Sequence, residues 1–229
     1  MSIARSILMR MFGRPHGALG RLGGIIMART NEDCGAWVIE LLEIGPNDNV
    51  LEVGFGPGVV IRRVVDLGAP AAGVDLSPEM VEQARARNAD AVRNHRVDLR
   101  RGSVDSLPFG RDTFDKTLAI NSMQVWPNAV AGLREMHRVT KPSGKIALGF
   151  TPHSGRSKQG LTEVLAAAGF IDARIADGAH GFCALGSKPH GRIVGRCTLK
   201  VWYIRLSCTV KVPGSQCIDR RRFARWFPG

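Results

Sequence analysis

The stretch Val50-Leu51-Glu52-Val53-Gly54-Phe55-Gly56-Pro57-Gly58, VLEVGFGPG, decides the fold. Val50–Val53 reads as a short strand buried on both sides, and residues 59–67 read as the helix that follows the glycines. A strand that ends in glycines and enters a helix exposes backbone N–H groups at the carboxyl edge of a sheet, where ligands bind. The spacing is G-x-G-x-G; the dinucleotide fingerprint would place its third glycine one position later. An acid, Asp75, closes the second strand about 20 positions on, the distance at which a carboxylate accepts hydrogen bonds from a ribose diol. The competing reading is a tight strand-to-helix turn with an exposed Asp cap.

Outward from this loop, strands and helices alternate up to Ser187. Expected strands are Ala71–Asp75, 97–99, Phe114–Ile120, 146–150, 173–176 and 182–185. Between them, Ser77-Pro78 caps and starts a helix whose apolar face is Met80, Val81, Ala84 and Ala91. Further helices are expected over 128–140 and 161–168, with Lys141-Pro142-Ser143-Gly144 as a turn. The pattern predicts an α/β, Rossmann-like, doubly wound sheet of seven mostly parallel strands, helices on both faces and an antiparallel last strand. Three regions are expected: an N-terminal helical, basic cover (1–48), a ligand-binding domain (49–188) and a basic, poorly ordered tail (189–229).

The formal charge of +12 supports this division. Residues 1–30 hold five Arg and no acid, residues 189–229 hold nine Lys or Arg and one acid, and the stretch between is near neutral. In the first segment Ile3, Ile7, Leu8, Met11 and Phe12 form an amphipathic pattern flanked by Arg5 and Arg10, suited to covering the domain or touching a lipid surface. In the last, Trp202 to Val212 alternates like a strand with no place in a completed sheet. No run of 18 apolar residues occurs, and Gly13-Arg14-Pro15 interrupts any secretory core, so a cytoplasmic location is expected, with membrane contact only at the periphery. Five cysteines without a C-x-x-C pair favour neither a disulfide framework nor a zinc site, and no metal is expected.

Four segments in order carry a family resemblance: 52–58 (EVGFGPG), 73–80 (GVDLSPEM), 102–109 (GSVDSLPF) with Phe114-Asp115, and 133–139 (LREMHRV) running into Lys141-Pro142-Ser143-Gly144. The chain from 45 to 188 resembles the class I S-adenosylmethionine-dependent methyltransferases, particularly the small-molecule branch of ubiquinone and menaquinone methyltransferases. The resemblance implies S-adenosyl-L-methionine as cofactor. It places Glu52 near the methionine end, Gly54, Gly56 and Gly58 where the backbone approaches the cofactor, Asp75 on the ribose hydroxyls and Leu76 against the adenine. Many members have Asp where this chain has Ser103, taking the adenine amino group; a serine hydroxyl brings no charge, which leaves the backbone of Val104 to read the ring edge.

Methyl transfer from a sulfonium is an in-line displacement, and the enzyme supplies positioning, exclusion of water and, for a hydroxyl or thiol, removal of a proton. Substrate contacts are expected just after Ile120, where Asn121 and Gln124 can orient a nucleophile, Asn121 also borders the cofactor, and Trp126 is either a wall of the site or core. His153 is the better-placed histidine for a base, whereas His137 reads as a solvated helix residue. The run Asn121-Ser122-Met123-Gln124 lacks the two prolines and aromatic of DNA amino methyltransferases, which argues against nucleic acid. A small-molecule or lipid-like acceptor is therefore expected. The alternatives are an NAD(P)-dependent oxidoreductase and a nucleic-acid-binding protein that keeps a degenerate cofactor fold.

Overall fold

The computed structural model describes residues 31–190. The expected amphipathic helix before residue 31 and the alternating tail beyond 190 lie outside the described residues.

Seven strands form one sheet: β1 (Val50–Val53), β2 (Ala71–Asp75), β3 (Val97–Arg101), β4 (Phe114–Ile120), β5 (Thr140–Phe150), β6 (Ile171–Gly178) and β7 (Gly181–Ser187). Their spatial order is β3-β2-β1-β4-β5-β7-β6. β1 to β5 are parallel, while β7 runs antiparallel to both neighbours, pairing Leu148 with Ala184 on one side and Ile175 with Ala184 on the other. The nicotinamide-type order, 3-2-1-4-5-6, has no such inserted strand, and the oxidoreductase alternative falls on this point.

Helices cover both faces because successive strand residues serve different cores. Val50, Leu118, Ile120 and Ala147 join one apolar cluster; Leu51, Val53, Ala119, Ile146 and Leu148 join the other. The first cluster is closed by α1 (Glu32–Leu42), α2 (Val59–Asp66), α3 (Pro78–Arg87) and α4 (Ala89–Arg93). The second is closed by α5 (Ala129–Val139) and α6 (Leu161–Ala167). α2 shows the logic: Val60, Ile61, Val64 and Val65 are buried while Arg62 and Asp66 pair outside. Each such buried aliphatic contributes about 1.5–3 kcal/mol, so the stripe rather than local propensity holds the helix.

α1 contributes Cys34, Val38, Ile39 and Leu42 to the first core. Residues 32–42 are thus integral to the domain that the sequence pattern starts at 49. Cys34 and Cys183 both belong to this core; they are unbridged, and burial pushes their thiols up to about 11 and about 12.

Three expectations need correction. The helix begun by Ser77, whose Oγ accepts from Met80 N at 3.3 Å, stops at Asn88 and restarts as α4, so Ala91 sits on a separate turn. Asn88 makes the break by spending its amide on Ala84 O (2.8 Å) and Gly58 O (3.1 Å). Lys141-Pro142-Ser143-Gly144 is carried inside β5 as an irregularity: Ser143 takes φ 64, and the register with β4 shifts between Phe114 and Lys116. The groups that a free turn would give to water instead pair with the end of β7, Ser143 N to Lys188 O and Lys188 N to Gly144 O. Lys188 Nζ then donates to Asp112 Oδ1, His137 O and Thr140 O, closing the C-terminus of α5. Lastly, His137 is half-buried, edge-on to the Phe170 ring at 5.0 Å, not solvated. Burial, then the nearby Lys188 ammonium, lowers its pKa.

Candidate active site

The strand order reverses at β1, and one cavity opens at the carboxyl ends of β1, β2 and β4. It is lined by residues 52–57, Val59, Val60, 74–77, Met80, 102–104, 120–122, 125–127 and Asn31.

The three loop glycines do three different things. Gly54 (φ 75) lies against β4, where an added Cβ would stand 2.4 Å from Ser122 Cβ. Gly56 (φ 52) faces open space with no atom within 4 Å of that position, so its backbone is bare to the cavity. Gly58 (φ 76) is not among the lining residues; its missing side chain admits Ala84 of α3, 2.7 Å from where a Cβ would be. Only left-handed backbone makes this loop, and glycine reaches it without strain.

Two carboxylates lie in the cavity wall. Asp75 accepts from Gly56 N through Oδ2 and from Ser77 N through Oδ1, both at 2.9 Å, and so locks the loop to the end of β2. Burial raises its pKa; the N–H groups of Ser77, Gly56 and Leu76 pull the other way. Oδ2 keeps a lone pair for a further donor. Glu52 is 3% exposed and its Oε2 has no partner. Burial, then the charge of Asp75, raises its pKa well above the usual carboxylate range, against a single backbone hydrogen bond from Ile61. A buried carboxylate oxygen without a donor is costly, and a cationic or donor ligand at Oε2 removes that cost. Among the described lining residues, Glu52 and Asp75 are the titratable side chains, and none is Lys or Arg. The cavity suits a ligand with positive charge and is a poor match to a pyrophosphate.

On the far side of the loop, Leu76 and Val104 line the cavity, Leu76 being 55% exposed and Val104 buried. Ser103 also lines it, but its hydroxyl is engaged with Asp105, at 3.3 Å from both Oδ2 and the backbone N.

Past β4, Asn121 takes φ 47, a conformation Asn tolerates. Its Nδ2 donates to Asn31 Oδ1 (2.8 Å) and Thr151 Oγ1 (2.9 Å), and its Oδ1 accepts from Thr151 N (3.0 Å). Both amide hydrogens and one lone pair of the oxygen are thus spent in joining α1, β4 and β5. Gln124 is exposed, donates to Asn121 O at 2.8 Å and is not a lining residue; His153 is exposed on a short 3-10 turn and is not one either. Trp126 does both of its expected jobs, lining the cavity and packing against the second core. Sequence reasoning missed Asn31 and Ser122. Ser122 donates to Val53 O at 2.8 Å and abuts Gly54, and the only sequence signal for either was proximity to a strand or helix end.

Residues 50–144 match the family described as methyltransferase domain. YdaC of Bacillus subtilis (strain 168), an uncharacterized methyltransferase, is 30% identical over 164 residues, which are 67% of this chain and 88% of YdaC. This chain belongs to the class I S-adenosylmethionine-dependent methyltransferases. Its cofactor is S-adenosyl-L-methionine, whose sulfonium and ammonium charges suit a cavity lined by two carboxyl groups and, among the described residues, no Lys or Arg. The methyltransferase also resembles sterol 4-C-methyltransferase strm-1 of Caenorhabditis elegans (32% over 109 residues) and the C-methyltransferase UbiE of Geotalea daltonii (28% over 116). Those matches cover 48% and 49% of this chain, and 33% and 49% of the relatives. Among solved structures, a SAM-dependent methyltransferase from Aquifex aeolicus has TM-score 0.62 at 18% identity, covering 70% of this chain and 92% of that one. The [4+2]-cyclase SpnF has TM-score 0.61 at 20%, covering 70% and 81%, so the fold by itself does not name the reaction.

Proposed function

We propose that this methyltransferase acts on a small-molecule or lipid-like acceptor by in-line transfer, under a cover supplied by the N-terminal segment. The observation that carries the acceptor class is the rim. Val125 is a large apolar side chain left 44% exposed at the cavity, beside Trp126 and Pro127, in the segment after β4 rather than among the adenine residues. Leaving such a group wet is tolerated singly, but an apolar cluster at a cofactor cavity is a binding surface. The same rim lacks Lys and Arg among the described residues, which speaks against a nucleic-acid backbone.

When bound, S-adenosylmethionine supplies an electrophilic methyl group on a sulfonium. Glu52 would hold the methionine end, Asp75 the ribose hydroxyls, and Leu76, Ser103 and Val104 the adenine, with Gly54, Gly56 and Gly58 shaping the loop. Asn121 and Gln124 act on the acceptor side by fixing the β4 end. Among the described lining residues, only the two cofactor-side carboxylates are able to take a proton from the acceptor. His153 would need to swing in to serve as base.

Asn31, the residue that follows the N-terminal segment in the sequence, itself lines the cavity, which supports the cover reading. No described helix is long and apolar enough to cross a membrane. Contact of the basic segment with a lipid surface, and a tail at 189–229 dispensable for catalysis, complete the proposal. Screening quinone precursors, phospholipids and small amines for a cofactor-dependent gain of one methyl mass tests the acceptor class. With an acceptor in hand, deleting residues 1–28 should abolish turnover and leave S-adenosylhomocysteine affinity within about threefold. Loss of both together would mean that the segment is structural and the cover reading is wrong.

A further inference from the structure

The Arg-Glu-x-x-Arg run of α5 is a sequence signature for which the cavity gives no direct use, since none of its residues lines it. Its bonds point elsewhere. Glu135 Oε2 accepts from Leu107 N at 2.9 Å, while Arg138 donates to Leu107 O (2.9 Å) and Phe109 O (2.8 Å) and forks onto both oxygens of Glu135 at 2.7 and 2.8 Å. Both side chains are about three-quarters buried, at 26% and 23% exposure, so the pair is shielded from the screening that empties surface ion pairs. One turn earlier on the same face, Gly132 leaves room for Val104 and Trp126: an added Cβ would meet Val104 Cγ2 at 3.0 Å and Trp126 Cε3 at 2.9 Å.

Gly132, Glu135 and Arg138 thus lie three residues apart along one stripe, and all three bear on the loop 102–109. The near end of that loop is fixed to the cofactor side by Gly102 N donating to Asp75 O at 3.0 Å, and its residues 102–104 form the cavity wall. Ser103 is turned to Asp105, so the wall presents backbone and Val104 rather than a committed side chain. A wall that reads a base edge through backbone atoms is only as selective as that backbone is fixed.

We propose that Glu135 and Arg138 are positioning residues for base recognition: by gripping Leu107 and Phe109 they hold residues 102–104 in the register that tells adenine from other purines. The inference rests on the adenine-side assignment given above. Arg is required because one planar group serves two carbonyls and a carboxylate, which a lysine ammonium cannot match in geometry.

The test uses the full chain and calorimetric titration with S-adenosylhomocysteine and with S-inosylhomocysteine, which differs by replacement of the exocyclic amino group. Wild type should prefer the adenine ligand. Arg138→Ala and Arg138→Lys should weaken S-adenosylhomocysteine roughly tenfold and reduce the adenine-over-hypoxanthine preference at least fivefold. Arg134→Ala, on the same helix, should leave the preference unchanged. If Arg138→Ala does not fold, Glu135→Gln, which keeps an acceptor for Leu107 N, decides with a smaller loss of preference. A purely structural role would lower the melting temperature with the preference intact, and that result overturns the proposal, as does a wild type that does not discriminate. Failure of wild type to bind S-adenosylhomocysteine at all would instead strike the cofactor assignment.

Discussion

The two sides of the cavity are built differently. On the cofactor side, backbone conformation, a buried carboxylate and a locked loop leave almost no freedom: Asp75 accepts from Gly56, Gly54 abuts Ser122, and Glu52 Oε2 waits without a partner behind them. On the proposed acceptor side Val125 is exposed, and the polar residues Asn31, Asn121 and Ser122 spend their side chains on scaffold contacts. A site that must recognise one invariant molecule is fixed by the fold, whereas the side proposed to face the acceptor is left to a few exposed residues.

The comparison is broken most severely at Gly54. Gly54→Ala puts a methyl group 2.4 Å from Ser122 Cβ at φ 75, where strain and overpacking together cost about 3 kcal/mol, and S-adenosylhomocysteine binding should be lost. Chemical denaturation and titration check both; a variant with native affinity would show the loop to be less constrained than described.

Glu52→Gln sharpens the contrast through pH. The raised pKa of Glu52 means that the folded protein holds a proton which the unfolded chain releases in the ordinary carboxylate range. Its stabilising share is present below that range and is lost as pH rises through the folded value. Between those limits wild-type stability should fall with pH. Glu52→Gln should flatten the fall and leave the ligand-free protein at neutral pH more stable, by about 1 kcal/mol, while weakening the cofactor. Melting curves from pH 4 to 8, read with titrations, test the pair of effects; a variant less stable at every pH would contradict the unpartnered reading.

Asn121→Gly should have the smallest effect. It relieves φ 47 but removes three hydrogen bonds, for a net loss of about 1 kcal/mol, with cofactor affinity nearly unchanged and acceptor KM raised. A tenfold fall in cofactor affinity would place its side chain on the cofactor side instead.

Much of this was legible beforehand, for physical reasons. Fully buried β1 and the left-handed glycines leave a strong imprint, since few residues satisfy either demand. The same holds for Ser77-Pro78 at the start of α3. What stayed hidden depended on distant partners. Lys141–Gly144 has the composition of a turn, yet its backbone finds β7, some forty residues on. His137 reads as surface until Phe170 is folded beside it, and the division of labour among three glycines follows from Ser122 and Ala84, which no local pattern announces.

The two buried thiols of the first core offer a further use. Cys34 on α1 and Cys183 on β7 stay protonated at any pH the protein is handled, because burial holds them at about 11 and about 12. A thiol in that state cannot attack a disulfide or an alkylating reagent until the core opens. Their labelling rate is therefore a clock for the separation of α1 from the sheet, and running it with and without cofactor would time how tightly the first helix is coupled to an occupied cavity.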